Sequence, residues 1–369
     1  MQVQVVDPSA YTPPYDHALC SALAAEGLDV ELLTSSFAYG AVPPPDSYDV
    51  RETFYRYAVG PAGSRLRSLI KLVEHGPDML ALRRGARAAD LVHFQWLPVQ
   101  WLDRYLLPHP PVVLTGHDLL PREPHPLQTW AQRRLYDAVD AVVVHSDFGR
   151  RQLVERLGLP AGKVRVIRHG AFDYLTRIPD GGLPPELPEP AGPVVLFFGL
   201  LRPYKGLDVL LAAWRELVAS APTAELWIVG RPRMDVASLQ ATAPARVRWV
   251  KRFVSEFELA ASFRRADLLV LPYRASERLD FSGVLATSLA FAKPTVVSDV
   301  AGFGELAEAG AARLVPPGDP GVLSQALAQL LADPAERARL AAGAAAAAAG
   351  PYSWPQIARE TIALYRELL

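Results

Sequence analysis

The sequence predicts an α/β protein built from two doubly wound parallel-sheet domains, and three observations support this prediction. Short apolar segments of strand length alternate with helix-length amphipathic segments along the 369 residues. A proline- and glycine-rich stretch at 178–193 interrupts the alternation near the middle of the chain. The chain is also longer than most domains with a single hydrophobic core.

Each half of the chain repeats the same alternation. In the first half we predict strands at 3–6, 30–34, 91–94, 112–115, 141–145 and 164–167, with helices such as 15–26 and 147–157 between them. In the second half we predict strands at 194–198, 225–229, 247–250, 268–271, 295–298 and 313–315. The expected organisation is an N-terminal Rossmann-like domain at 1–177, a linker at 178–193, a C-terminal Rossmann-like domain at 194–350 and a final helical segment at 351–369.

Composition excludes several classes of protein. The formal net charge of -1 gives no overall attraction for nucleic acid. A single cysteine, Cys20, excludes an internal disulfide framework and a cysteine-rich metal site. No signal-peptide pattern and no apolar run long enough to span a bilayer occurs, so we expect a cytoplasmic protein.

The segment from Gly199 to Gly206 carries the sharpest chemical signal. An apolar strand ends at Gly199, two cations follow at Arg202 and Lys205, and a helical pattern begins after Gly206. A strand end followed by a tight turn and a helix N-terminus places backbone N–H groups where an anion can bind. The alternative is a surface loop with two solvated cations. The position of the segment, at the first strand end of a second α/β domain, favours the anion site.

Further segments follow one another in a fixed order. They are TGHDLLP (115–121), VVVHSDFGRRQLVERLG (142–158), VRVIRHGAF (164–172), FFGLLRPYKGLDVLL (197–211), ELWIVG (225–230), RVRWVKRFVSEFELAASFRRADLLVLPYR (246–274), SGVLATSLAFAKPTVVSDVAGFGELAE (282–308) and LVPPGD (314–319). Together they resemble the retaining family-four glycosyltransferases, also described as glycosyl transferases group 1. The resemblance implies the GT-B fold, in which two Rossmann-like domains face a central cleft.

The resemblance also implies a nucleotide-sugar donor bound by the C-terminal domain, with a base that the sequence does not identify and no other cofactor. Arg202 and Lys205 would neutralise the leaving diphosphate, and with His117 they are the candidate catalytic residues. The candidate donor-binding residues are Gly199, Arg202, Lys205, Arg252, Phe253, Glu277, Ser282, Gly283, Val284 and Thr287.

The N-terminal domain would bind the acceptor, which is a hydroxyl of a glycan, a glycolipid or a natural product. The candidate acceptor-binding residues are Tyr11, Thr12, Tyr15, His93, Trp96 and Asp118. No D-x-D motif and no close metal-ligand spacing of histidines occurs, which predicts a metal-independent enzyme. Retention is expected to proceed by front-side attack, with the leaving phosphate taking the acceptor proton.

The sequence departs from the family pattern at several positions. The family usually carries two glutamates eight residues apart, and those positions are Leu279 and Thr287 here. Glu277 lies two residues before the first of them. Leu200 stands where the family has an arginine after the first glycine. These departures leave open a non-catalytic sugar- or nucleotide-binding protein on the same scaffold.

Two further patterns have competing interpretations. The motif G-x-G-x-x-A at 302–307 formally matches a dinucleotide fingerprint and suggests an NAD-dependent oxidoreductase, but it lies late in its domain and lacks the expected acidic residue. The basic, amphipathic segment 65–87 is either a solvated helix face or a peripheral contact with an anionic membrane surface.

Overall fold

The computed structural model describes residues 1–37, 40, 42, 44–61, 63–120, 126–276 and 278–369. The described chain divides into two compact units. Unit 1 holds the described residues of 1–170 together with 278–280 and 354–369. Unit 2 holds the described residues of 171–276 and 281–353, so the proline-rich stretch at 178–193 lies within unit 2, where it forms neither helix nor strand.

Unit 1 is a parallel sheet with helices in its connections. Its strands are β1 (Gln2–Asp7), β2 (Asp29–Thr34), β3 (Asp49–Glu52), β4 (Leu91–Phe94), β5 (Val112–Thr115), β6 (Ala141–Val144) and β7 (Val164–Val166). Its helices are α1 (Pro13–Ala25), α2 (Arg65–Gly85), α3 (Gln100–Leu106), α4 (Pro126–Ala138) and α5 (Asp147–Arg151), and α5 continues as a π-helical turn over Gln152–Arg156. The strand order is β3-β2-β1-β4-β5-β6-β7, and every pairing is parallel.

Unit 2 repeats this architecture. Its strands are β8 (Val194–Phe198), β9 (Glu225–Val229), β10 (Val247–Val250), β11 (Leu268–Leu271), β12 (Thr295–Ser298) and β13 (Arg313–Val315). Its helices are α6 (Leu207–Leu217), α7 (Ala237–Ala241), α8 (Glu256–Arg265), α9 (Gly283–Ala290), α10 (Gly304–Glu308), α11 (Pro320–Ala332) and α12 (Pro334–Ala349). The strand order is β10-β9-β8-β11-β12-β13, again with parallel pairings throughout. The two orders are those of doubly wound sheets.

Three aspartates begin strands in the same way. Asp90, Asp140 and Asp267 each stand immediately before a strand, and each accepts a hydrogen bond from the first N–H of the neighbouring strand, β1, β5 and β8 respectively. The three N–H···O distances are 2.7, 2.7 and 2.8 Å. Since the first amide of a strand often lacks a ladder partner, these carboxylates satisfy it and fix the register of adjacent strands.

The last helix, α13 (Trp354–Leu368), belongs to unit 1 and packs on α1. Its Tyr365 is fully buried, and the hydroxyl lies 2.6 Å from Nδ1 of His93 on β4. The Trp354 indole packs so closely on Gly170 that a Cβ there would lie 2.3 Å from the ring. The C-terminal helix is therefore part of the core of unit 1.

The strand predictions agree closely with the structure, with two informative differences. Strand β3 has the sequence DVRE and lies at the exposed sheet edge, so it shows no apolar pattern that could have predicted it. The predicted strand 141–145 ends one residue early, because the N–H of His145 donates to the Asp280 carboxylate instead of a neighbouring strand.

Gly206 allows the turn between β8 and α6 to pack against β11. Its φ is +67°, and a Cβ there would lie 1.9 Å from the carbonyl oxygen of Pro272. We expect Gly206→Ala to lower the free energy of unfolding of unit 2 by more than the roughly 1–2 kcal/mol that a left-handed conformation costs by itself. Gly182→Ala is the matched control, because Gly182 has a φ of +83° but nothing within 4 Å of the added Cβ. Urea unfolding followed by circular dichroism measures both; equal losses would contradict the steric argument.

Candidate functional site

The anion site predicted at 199–206 lies in unit 2, at the carboxyl ends of the adjacent strands β8 and β11. Gly199 has a φ of +101°, and a Cβ there would lie 2.8 Å from Nζ of Lys205 and 3.2 Å from Val284. Gly230 packs even more closely, since a Cβ on it would lie 2.0 Å from the carbonyl oxygen of Gly199. The backbone at this strand end is therefore in direct contact with a cation and with the first turn of α9.

The Lys205 side chain is nearly buried, with 5% of its surface exposed. Its Nζ lies 3.4 Å from the carbonyl oxygen of Phe198 and 5.2 Å from the centroid of the Tyr273 ring. A carbonyl dipole and an aromatic face both stabilise an ammonium without neutralising it. These contacts hold the Lys205 charge beside Gly199.

We define the cradle as Gly199, Arg202, Lys205, Gly283 and Val284, because α9 begins beside Gly199 and Arg202 precedes the turn that carries Lys205. Arg202 is half-buried, and its Nε is a buried donor without a hydrogen-bond partner among the described residues. No described side chain caps α9, so the N–H groups of Gly283 and Val284 remain available to an anion, whereas that of Leu285 donates to the carbonyl oxygen of Ser282. An orphaned guanidinium donor and an uncapped helix are features that a bound phosphate would satisfy.

The structure gives the other predicted donor residues different surroundings. Arg252 is held by Glu186 and Glu258 in two ion pairs, and this pairing lowers the pKa of Glu258 to about 2. Thr287 is buried and donates its hydroxyl to the carbonyl oxygen of Gly283, 2.9 Å away. Phe253 is 44% exposed, beneath the Arg231 guanidinium.

Ser282 and Glu277 are the remaining predicted donor residues. Ser282 is buried, with its Oγ 3.4 Å from the Tyr273 hydroxyl. Glu277 lies outside the described residues. Leu279 belongs to unit 1, where it is 6% exposed and forms a bridge with Asp118. Of the residues above, Arg252 is already paired with two carboxylates and the Thr287 hydroxyl is bonded within its own helix, so neither has a free polar group directed to a base or a ribose.

In unit 1, the corresponding strand ends are those of β1 and β4, and an aromatic pair lies there. The Trp96 indole N–H donates to Oγ1 of Thr12 at 2.9 Å. Because Trp96 lies two residues after β4, this hydrogen bond links the segment after β4 to the loop after β1. The Tyr11 ring is 63% exposed, and its centroid lies 5.2 Å from that of Trp96. These three predicted acceptor residues are therefore brought together on the surface of unit 1.

His117 stacks on Trp96, with ring centroids 5.2 Å apart and planes 18° from parallel, and both of its ring nitrogens have partners. His145 donates its Nδ1–H to the carbonyl oxygen of Ile167 at 3.0 Å, because a carbonyl can only accept. Burial lowers the pKa of His145 to about 4, so the ring is neutral at pH 7 and its bare Nε2 accepts from Nδ1 of His117 at 3.2 Å. Nε2 of His117 then faces the amide of Gln95, with 3.1 Å to its oxygen.

The Gln95 amide is the second partner of the His117 ring. The amide nitrogen of Gln95 is buried and has no hydrogen-bond partner among the described residues when its oxygen faces Nε2. Turning the amide by 180° would bring that nitrogen to Nε2 instead, so the orientation of the amide and the protonation of Nε2 are linked. Both nitrogens of His117 are engaged in either orientation, an arrangement suited to positioning.

The structure corrects the placement of two predicted acceptor residues. His93 is 1% exposed, with Nδ1 2.6 Å from the Tyr365 hydroxyl and Nε2 2.8 Å from Oγ1 of Thr115, and burial lowers its pKa to about 3. Tyr15 is 2% exposed and packs among the rings of His117, His145, His169 and Trp354. Both side chains are therefore buried in the core of unit 1, where their partners are other residues of the same unit.

A cavity of about 80 Å³ in unit 1 lies beside this network, at the ends of β4 and β5. Its described lining mixes polar side chains with three leucines and one indole. The lining residues are Gln95, Trp96, Leu97, Gln100, Leu114, Thr115, Gly116, His117, Asp118, Gln132 and Leu135. Amides, a hydroxyl, a carboxylate and an indole are the groups that recognise hydroxylated rings. The predicted residues His117, Asp118 and Trp96 thus share one site.

Sequence reasoning missed four buried polar residues that shape these surfaces. Asp280 is fully buried in unit 1 and accepts hydrogen bonds from the His145 N–H and the Ser146 hydroxyl. Asp7, Asp16 and Gln95 are equally buried. Since the partners of Asp280 lie more than a hundred positions away in the chain, no local pattern could have identified it.

Three other features bear on the competing interpretations. Within the described ranges, no group of three or more histidine, cysteine, aspartate or glutamate side chains could hold a metal ion. No helix of the described chain is both long and apolar enough to cross a bilayer. The G-x-G-x-x-A motif at 302–307 follows β12, which is not the first strand of its sheet, and it spans a 3₁₀ turn and the short helix α10.

Two doubly wound parallel sheets, of seven and six strands, form the GT-B fold. Residues 192–333 match the family model "Glycosyl transferases group 1", and residues 15–171 match the model "Glycosyltransferase Family 4". The chain belongs to this family of glycosyltransferases.

Relatives and solved structures agree with this assignment. The chain is 28% identical to a D-inositol 3-phosphate glycosyltransferase of Kineococcus radiotolerans, over 94% of this chain and 88% of the relative. Its fold is similar to sucrose-phosphate synthase of Thermosynechococcus elongatus, with a TM-score of 0.75 and 20% identity over 100% of this chain and 99% of the other. It is also similar to Anabaena HepE solved in complex with UDP-glucose, with a TM-score of 0.71 and 18% identity over the whole of both chains.

Proposed function

We propose that the protein is a retaining, metal-independent glycosyltransferase that moves a sugar from a nucleotide-sugar donor to a hydroxyl acceptor. Unit 2 would bind the donor and unit 1 the acceptor. The observation that supports this most strongly is the cradle, where the Lys205 ammonium and an uncapped helix start lie against a glycine at a strand end, with Arg202 in the same turn as Lys205. A fold relative solved with UDP-glucose is consistent with such a donor.

The cradle would act on the leaving group. Negative charge develops on the diphosphate as the glycosidic bond breaks, and fixed positive groups stabilise that charge more in the transition state than in the ground state. Lys205 supplies a nearly buried charge, and Arg202 supplies a planar guanidinium with an unsatisfied donor. These side chains take the role that a divalent cation has in other transferases, which is why we propose metal independence.

Retention would follow from attack on the face that the diphosphate leaves. The acceptor hydroxyl then gives its proton to the departing phosphate oxygen, so no side chain has to be a strong base. The engagement of both ring nitrogens of His117 is compatible with this mechanism, because no step requires the ring to take a proton.

We expect Arg202→Ala and Lys205→Ala each to weaken nucleotide-sugar binding by about tenfold to a hundredfold, since a charge-assisted hydrogen bond contributes about 1.5–3 kcal/mol. Calorimetry with UDP-glucose, GDP-mannose, ADP-glucose and TDP-glucose first identifies the base and then measures both variants. Arg313→Ala is the matched control, because Arg313 is exposed at the amino end of β13, opposite the cradle edge of the sheet. Unchanged affinity in both alanine variants would refute the cradle assignment.

The same preparation tests turnover. Without acceptor, we expect slow hydrolysis of the donor that a chelator does not affect. NMR should show that the released sugar has the anomeric configuration of the donor. Tight donor binding without any hydrolysis or transfer would favour the non-catalytic alternative, which the buried Leu279 and the self-bonded hydroxyl of Thr287 make worth testing.

For the acceptor, we propose that the cavity of unit 1 and the Tyr11–Trp96 pair bind a hydroxylated ring of a glycan, glycolipid or natural product. Sugar C–H faces pack on aromatic rings, and the cavity amides can pair with hydroxyl groups in either direction. Gln100 is a half-buried member of the lining at the start of α3. The hydroxyl groups of an acceptor would hydrogen-bond to such side chains while its ring lies against Trp96.

Gln100→Leu is therefore expected to weaken binding of an uncharged ring about threefold to tenfold, the loss of roughly one hydrogen bond. Saturation-transfer NMR with glucose, mannose and myo-inositol measures it, and donor affinity should be unchanged. Gln128→Leu, the same change at an exposed position of α4, is the control. Equal effects of the two substitutions would contradict the placement of the acceptor.

We further propose that α2 makes a peripheral contact with an anionic membrane. Leu66, Leu69 and Val73 are 60%, 60% and 69% exposed, and their spacing places them on one helix face. Arg65, Arg84 and Arg87 are exposed on the same segment. An exposed apolar face flanked by cations fits the boundary of an anionic bilayer.

Sedimentation with phosphatidylcholine vesicles, with and without phosphatidylglycerol, tests this contact. We expect binding only to the anionic vesicles, weaker at high salt, and lost in Leu69→Glu. Leu127→Glu is the control, because Leu127 is 68% exposed on α4, outside the basic segment. Equal sedimentation with and without the anionic lipid would leave α2 as a solvated helix.

A further inference from the structure

The loop after β1, which we define as residues 8–12, is tied to two buried carboxyl groups that the proposed chemistry does not use. Asp7 ends β1 and is fully buried, and Asp16 lies in the first turn of α1 with 1% of its surface exposed. The two carboxyl groups lie within hydrogen-bonding reach of each other. Two buried carboxylates in contact would repel strongly in so apolar a place.

The hydrogen bonds separate the roles of the two groups. Oδ1 of Asp7 accepts from the N–H of Ser9 at 3.1 Å, and Oδ2 accepts from the N–H groups of Tyr11 at 2.6 Å and Thr12 at 3.3 Å. Three N–H donors stabilise a negative charge. Asp7 is therefore the member of the pair that is ionised.

Asp16 has the surroundings of a protonated acid. It accepts one hydrogen bond, from the Thr12 hydroxyl to Oδ1 at 3.2 Å, and nothing else on the described chain donates to it. If Oδ1 is the carbonyl oxygen of a neutral acid, the other oxygen carries the proton that Asp7 accepts. Thr12 thereby touches both carboxyl groups, through its N–H to Asp7 and its hydroxyl to Asp16.

We propose that Asp7 and Asp16 share a single proton, carried by Asp16, and that this proton holds loop 8–12 in the conformation that presents Tyr11 and Thr12. Its removal would leave two negative charges in contact, and the loop would open to let water reach them. Asp7 and Asp16 are positioning residues, since they act through the loop.

No cation is among the described groups that shift the pKa of Asp16. Lys71 on α2 is the cation near Asp7; burial and the Arg67 charge lower its pKa, and the Asp7 charge raises it. Tyr15 and Cys20 on α1, and Tyr48, face Asp16, and the pKa of each of these groups is raised. Their neutral forms therefore persist at pH 7 and add no positive charge beside Asp16.

The proton on Asp16 stabilises the folded state, and this stabilisation decreases as the pH rises. Burial, followed by the charge of Asp7, raises the pKa of Asp16 well above 3.8, so the folded state keeps a proton that the unfolded chain releases. The stabilisation is complete below about pH 4 and is lost as the pH rises through the raised value. The loop should open more often as the pH rises.

The consequence for catalysis rests on the proposed function. Trp96 is bonded to Thr12 and stacks on His117, so opening of the loop would remove one wall of the acceptor surface. The experiment below uses the chain without any donor or acceptor, so its outcome does not depend on whether the protein is a transferase.

Infrared spectroscopy detects the carbonyl stretch of a protonated carboxylic acid directly. We expect this band in the native protein at pH 7 and its loss in Asp16→Asn, whose amide donates to Asp7 and accepts from Thr12 without a titrating proton. Asp29→Asn, at an exposed position at the start of β2, should keep the band. A native protein without the band, or Asp16→Asn with it, would overturn the proposal.

Hydrogen exchange at the amides of Ser9, Tyr11 and Thr12 tests the opening. After correction for intrinsic exchange rates, the measurement gives the equilibrium constant for loop opening. The ratio of this constant in the native protein to that in Asp16→Asn should rise about tenfold per pH unit above about pH 4, until the pKa of the buried acid is reached. Asp29→Asn should show the native dependence. A pH-independent ratio would show that the proton does not hold the loop.

Discussion

Both units depend on one constraint, which is that neighbouring parallel strands bring their carboxyl ends to the same sheet edge. In each sheet the chain reverses its direction of winding between two central strands, β1 and β4 in unit 1 and β8 and β11 in unit 2. The connections leave those strands toward opposite faces, so a gap remains between them. The cradle occupies this position in unit 2, and the Thr12–Trp96 hydrogen bond occupies it in unit 1.

Carboxylates satisfy backbone amides near the strand ends in both units. Asp90, Asp140 and Asp267 bind the first amides of neighbouring strands, and Asp7 binds the loop that follows β1. Asp280 does the same for His145 at the end of β6. A carboxylate can accept several N–H groups at once, so it organises a loop more rigidly than one backbone carbonyl could.

The two strand-end sites differ in charge, and this difference suits different ligands. The cradle presents positive groups to an anion, with Lys205 almost entirely removed from water. The unit 1 cavity is lined by amides, an indole, the Asp118 carboxylate and a histidine whose two ring nitrogens are both engaged. If unit 2 binds the donor and unit 1 the acceptor, as proposed, this difference in charge is a physical reason for the enzyme to use two sheets.

The sequence alone determined the alternation of strands and helices, since buried parallel strands are continuous apolar runs that end at glycine or a polar turn. It also located the cradle, because a strand, a basic turn and a helix start are contiguous in the chain. The sequence could not show the edge strand β3, which is polar and held only by its pairing with β2.

Tertiary structure decided which polar side chains are buried. His93 and Tyr15 are buried in unit 1 by contacts with Tyr365 and Trp354. Asp280 acquired its partners only through folding. The contacts that bury a polar group come from distant segments, so burial and pKa are properties of the assembled core and not of the local sequence.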